Sequence, residues 1–186
     1  MKYSFLILSL FLSTITFADS PLTSTPFSKA YSEEKMVNYI GENGLDVKVL
    51  KYLGKKGGDP VVKIAMINAL SWGKKDAVST FEGYLLSNRK GLNSEVFDYL
   101  KTVSTEVPLE NKQTNILSAD DLMCWAYLQS MGDYFNPNLA SRAAYFAYYR
   151  EPESMAHSTV FTLIACQVAF DADWCNVYRF GQEFLV

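Results

Sequence analysis

Twice in this chain an Asx side chain stands directly before proline, at Asp59-Pro60 and at Asn136-Pro137. An oxygen on the residue before a helix accepts from the free first-turn amides, and proline at the first helical position gives up no hydrogen bond that was available. Apolar residues then return at steps of three and four: Val62, Ala65, Met66, Ala69 and Leu70 after the first start, Leu139, Ala140, Ala143, Ala144 and Ala147 after the second. That period belongs to helices with a buried face. Glu151-Pro152 opens the longest such run, reaching Phe170. Ser118 with Asp121 has the spacing of a capping box ahead of Leu122, Met123, Ala126 and Met131, and Asp173 caps a last helix carrying Trp174, Val177 and Phe184. Shorter stripes at Met36, Val37 and Ile40, at Val49, Leu50 and Leu53, and at Val96, Phe97, Leu100 and Val103 complete the pattern, with Pro108 ending the last of these regions. No stretch alternates with period two. The chain predicts an all-α fold of about nine helices.

The segment from Asp59 to Leu86 reads as two helices joined at Gly73-Lys74-Lys75, the second carrying Ala77, Val78, Phe81, Tyr84 and Leu85. So short a turn predicts an antiparallel hairpin with a shared core. The segment resembles a HEAT or armadillo-type repeat, and the stretch after Asn136-Pro137 follows it loosely, Ala65 matching Ala143 and Ala69 matching Ala147. The resemblance implies helical hairpins stacked side by side; a generic irregular helical bundle is the other arrangement the same stripes allow.

Residues 1–18 have the layout of a secretory leader: Lys2 near the start, an apolar run over 5–12 broken only by Ser9, and small residues before a cut after Ala18. The apolar run is too short to span a bilayer, which needs about 20 residues. Removing the leader leaves 16 basic and 20 acidic side chains, a charge of -4. Residues 19–31, rich in Ser, Thr and Pro, read as an extended arm, and residues 32–186 as one α-helical domain. The expected location is the periplasm or the exterior, with no further membrane span. The three cysteines, Cys124, Cys166 and Cys175, allow one disulfide in such a compartment. Cys166 and Cys175, nine residues apart across a turn at Asp171-Ala172-Asp173, are the favoured pair, and three separate buried thiols are the alternative.

A pI of about 5.2 and the absence of any basic run beyond Lys55-Lys56 and Lys74-Lys75 leave nucleic acid no seat. Catalytic signatures are missing too. The only histidine, His157, has Glu153 at i-4 and Ser154 at i-3, and no G-x-S-x-G turn or C-x-x-C pair exists. The carboxylates at Asp120-Asp121, Glu151 with Glu153, and Asp171 with Asp173 sit at helix starts, where negative charge is favourable by itself. No cofactor or metal is expected. The uncommon feature is aromatic density: Trp125, Tyr127, Tyr134, Phe135, Tyr145, Phe146, Tyr148 and Tyr149. One helix face cannot bury 145, 146, 148 and 149 together. The expected partner-binding residues are therefore Tyr134, Phe135, Tyr145, Tyr148, Tyr149 and the adjacent Glu151, facing a protein partner that is basic. In type and size the chain is similar to periplasmic immunity proteins that neutralise cell-wall-targeting toxins or hydrolases. The rival expectation is a protein that binds or hydrolyses peptidoglycan with acids beside an aromatic groove.

Overall fold

A computed structural model describes residues 20–103, 110–170 and 173–184. The leader expected at 1–18, the stop at Pro108 and the turn at Asp171-Ala172 lie outside the described residues. Among those residues no strand occurs, and nine helices have seven residues or more. In chain order the elements are the single turns α1 (Pro21–Ser24) and α2 (Phe27–Ala30), then α3 (Lys35–Asn43), α4 (Val47–Leu53), α5 (Pro60–Ala69), α6 (Lys75–Asn88), α7 (Glu95–Lys101), α8 (Ala119–Gly132), α9 (Ser141–Arg150), α10 (Met155–Phe170) and α11 (Trp174–Phe184). The fold is all-α.

Most of the expected caps form. Asp59 Oδ1 accepts from the Val61 amide at 2.9 Å, Asp173 Oδ1 from the Cys175 amide at 2.9 Å, and Ser118 and Asp121 exchange both hydrogen bonds of a capping box. Asn136-Pro137 behaves differently. The Asn136 carboxamide donates to Asp133, a 3₁₀ turn follows over Pro137–Ala140, and α9 begins only at Ser141. Likewise α10 begins at Met155, after a turn at 152–153, rather than at Pro152.

Helix α8 is the axis of the molecule. Every residue from Asp121 to Gly132 is buried, so beyond its first two residues this helix has no solvent face. A helix apolar on all sides needs neighbours on all sides. Helices α5, α6, α9 and α10 supply them. Helices α5 and α6 pack on α8 rather than chiefly on each other, so the hairpin expected at 59–86 is splayed around the central helix. The connecting turn is pinned: Ser71 and Gly73 take positive φ (66° and 81°), and the Gly73 amide donates to Met131 O at the far end of α8 at 2.9 Å. A left-handed residue at 73 suits glycine, which has no Cβ to clash.

The segment expected as an extended arm forms two single turns instead and sets Leu22 into the core. Leu22 is fully buried, Ser20 donates to Gln167 of α10, and the Asn68 side chain accepts from the Ser28 amide and donates to Thr25 O. Asn68 thus satisfies the polar backbone that two isolated turns leave open. Removing the Leu22 side chain leaves a cavity where α1 meets α10. Leu22→Ala should cost about 2–4 kcal/mol in urea unfolding with the helical circular dichroism retained; a loss below about 0.5 kcal/mol would mean that the segment is not part of the cooperative core.

Candidate functional site

The start of α8 places two adjacent carboxylates in its first turn, where its dipole favours them. Neighbouring positions on a helix point about 100° apart, so each carboxylate meets a different cation. Asp121 accepts from Arg89 through Nε at 2.8 Å and a terminal nitrogen at 2.7 Å. Asp120 Oδ2 accepts from Lys63 Nζ at 2.6 Å. Both cations also hold one loop: Arg89 donates to Gly54 O and Lys63 to Lys55 O, each at 2.7 Å. Lys63 is 0% exposed. Gly58 makes room for it, since a Cβ there would lie 3.1 Å from Lys63 Cε.

Burial acts to raise the Asp120 carboxyl, but the neighbouring His157 and Lys63 outweigh it and hold the group below its ordinary value. Hydrogen bonding to Asp121 raises the Arg89 guanidinium further still. Cys124, buried in the next turn, has its thiol pushed well above the usual range by desolvation and serves as packing, not as a nucleophile.

A pocket of about 360 Å³ opens beside this turn, between the 56–60 loop, the start of α8 and the 151–157 segment. Its polar lining is Lys56, Ser118, Asp120, Glu151, Ser154 and His157. His157 is 2% exposed, and its Nδ1 lies 2.7 Å from Ser154 Oγ, not against the i-4 residue Glu153. Its Nε2 stands 3.3 Å from Asp120 Oδ1, at ion-pair range but out of line for a hydrogen bond, and this buried nitrogen has no hydrogen-bond partner.

The expected partner-binding residues divide between two ends of α8. Tyr145, Tyr148, Tyr149 and Glu151 gather at the pocket end. Tyr145 stacks on Tyr149 (6.0 Å between centroids) and meets Phe161 edge-on, while Tyr148 stacks on Phe161 at 5.1 Å. Tyr149 is 66% exposed, and Glu151 lines the pocket rim. Tyr134 and Phe135 lie at the other end, ~20 Å away along the 14 residues of α8. There they cluster with Trp72, a residue the sequence reading missed, although the Gly73 break marked its turn. Trp125 and Tyr127 are fully buried: the Trp125 indole donates to Glu82, and Tyr127 accepts from Asn68, its hydroxyl pushed up to about 12 mainly by burial.

The expected Cys166–Cys175 bridge does not form, and all three cysteines are free thiols. Cys166 is buried with its Sγ 3.5 Å from Val177 O, whereas Cys175 is exposed. Among the described residues no cluster of three or more His, Cys, Asp or Glu could hold a metal ion, and no helix is long and apolar enough to cross a membrane. Compared with protein-family models, curated proteins and solved structures, the chain matches none.

Because Lys63 is buried, removing it strands Asp120. Lys63→Met should lose about 3–5 kcal/mol, and Lys63→Met with Asp120→Leu should recover much of it. Since Asp120 is held below its unfolded value of about 3.9, its contribution is present above that pH and is lost as pH falls through the folded value. Asp120→Asn should therefore flatten the acid limb of stability below about pH 4. Denaturant midpoints measured across pH check both; an unchanged acid limb would remove Asp120 from the linkage.

Proposed function

We propose that this chain is an exported protein-binding module, of the immunity or inhibitor type, that captures a basic partner such as a cell-wall-targeting toxin or hydrolase. The supporting observation is the face at the end of α9, where Tyr149 stands out in solvent on a rigid backing of Tyr145 and Phe161. A ring held by other rings presents area without losing side-chain freedom on docking, which is the economy of an interface anchor.

Charge favours the same face. Arg150, the nearest cation on α9, is turned inward to Glu110 at 2.6 Å and to the carbonyls of Leu117 and Thr114. Glu151 and Glu153, which follow Tyr149 in the chain, are exposed. An acidic aromatic surface suits a basic partner, since charge speeds encounter and buried rings slow release. Export follows from the leader layout of residues 1–18, and a periplasmic or secreted location is part of the proposal.

The test is affinity capture from the native periplasm using wild-type protein and two variants. Tyr149→Ala should weaken binding of a basic protein about 30-fold and leave helical circular dichroism intact. Tyr148→Ala should lower stability as well, because that ring is packed on Phe161. Binding of the captured protein that is indifferent to Tyr149→Ala, or turnover of labelled wall fragments by the purified chain, would end this reading.

A further inference from the structure

The pocket beside α8 shares only Glu151 with that docking face, and its chemistry selects a ligand by itself. Its charges balance: Lys56 at the rim and Lys63 behind the wall offset Glu151 at the rim and Asp120 within. Neither a free anion nor a free cation is favoured by such a lining. One buried inner group is left unmet: His157 Nε2, 3.3 Å from Asp120 Oδ1 but out of line for a hydrogen bond, has no partner, while Lys63 is engaged on Asp120 Oδ2. The Ser154 hydroxyl can donate to Nδ1 or accept from it; where it donates, the ring proton sits on Nε2, which places a donor 3.3 Å from an acceptor.

One functional group meets both. Nε2 is closed to solvent, so a ligand reaches it only as the pocket wall gives; a hydroxyl oxygen then accepts from Nε2–H while its own proton goes to Asp120 Oδ1. A carboxylate or phosphate offers no donor and is repelled by Asp120; an ammonium offers no acceptor. Ser118, Ser154, Lys56 and Glu151 extend the same mixed donor and acceptor pattern outward, and the volume of about 360 Å³ exceeds what one bridging water fills, about 30 Å³. It lies within the range of small-ligand sites, about 300–1,000 Å³. We infer that this pocket binds a neutral, hydroxyl-rich ligand, a sugar, with Asp120 and His157 reading one hydroxyl at its inner wall.

The probe is N-acetylglucosamine, followed by saturation-transfer NMR on the whole chain. Transfer to the sugar ring protons is expected, and His157→Phe, which keeps the ring volume and removes the N–H, should weaken binding at least about tenfold. Should His157→Phe fail to fold, Lys56→Ala serves in its place: it alters only an exposed rim residue and should weaken binding severalfold without changing the circular dichroism. Sedimentation with purified sacculi separates the sources. Co-sedimentation lost in the same variants assigns the site to the wall polymer, and transfer to free sugar alone assigns it to a soluble saccharide. No transfer to the sugar together with no co-sedimentation, or binding unchanged in His157→Phe and Lys56→Ala, overturns the inference and leaves the pocket to water. Tyr149→Ala leaves this binding intact, so failure here and failure of the docking reading are told apart.

Discussion

Two neighbouring carboxylates at the start of α8 organise this molecule. Asp120 and Asp121 would repel each other in an isolated helix, yet each meets its own cation, Lys63 from α5 and Arg89 from the end of α6. The same cations grip the carbonyls of Gly54 and Lys55, so one loop, three helices and a helix dipole are tied at a single point. Buried ion pairs add little net stability against an apolar replacement, because desolvation consumes most of the attraction. Their value here is positional: they help fix how far a helix buried along almost its whole length slides or turns among its neighbours.

That constraint explains why α8 tolerates so uniform a surface. Its large rings are buried only because each polar handle has a destination: the Trp125 indole on Glu82, and the Tyr127 hydroxyl with Asn68. Both destinations lie on the helices that splay around α8, and Glu82 is itself held by Lys101 at 3.0 Å. The polar rings thus divide by hydrogen-bond supply: Trp125 and Tyr127, each with a partner, fill the core, and Trp72 and Tyr149, exposed by 57 and 66%, stand outside it.

Features that depend on local chemistry were legible in the sequence. The helix count, the Asp59 cap, the Ser118 and Asp121 box and the Asp173 cap each follow from residues within a turn of one another. What escaped depends on partners far apart in the chain. Asp120 reads as a capping charge until Lys63, 57 residues earlier, is placed on it; Asp121 meets Arg89 across 32 residues. Asn136 has the type of a helix cap, but its side chain donates through Nδ2 to Asp133 and its oxygen makes no cap hydrogen bond. Ser and Pro at 19–31 suggest an open arm, and only Asn68, distant in sequence, shows how such a segment is drawn inside. The pocket was half visible: Ser154 lies at the i-3 position from His157, whereas Asp120 is supplied by the fold.

The two proposed surfaces meet at Glu151, and the reason lies in how α9 ends. A cation in the last turn of a helix ordinarily faces its own carbonyls or solvent. Arg150 instead reaches the carbonyls that precede α8, which draws the end of α9 against the start of the central helix. With the positive charge spent inward, the next residue, Glu151, is exposed and lines the pocket rim. A face that is acidic and aromatic and a cleft that is polar and balanced are therefore consequences of one inward-turned arginine, and they differ in character because Lys56 and Lys63 neutralise the cleft alone.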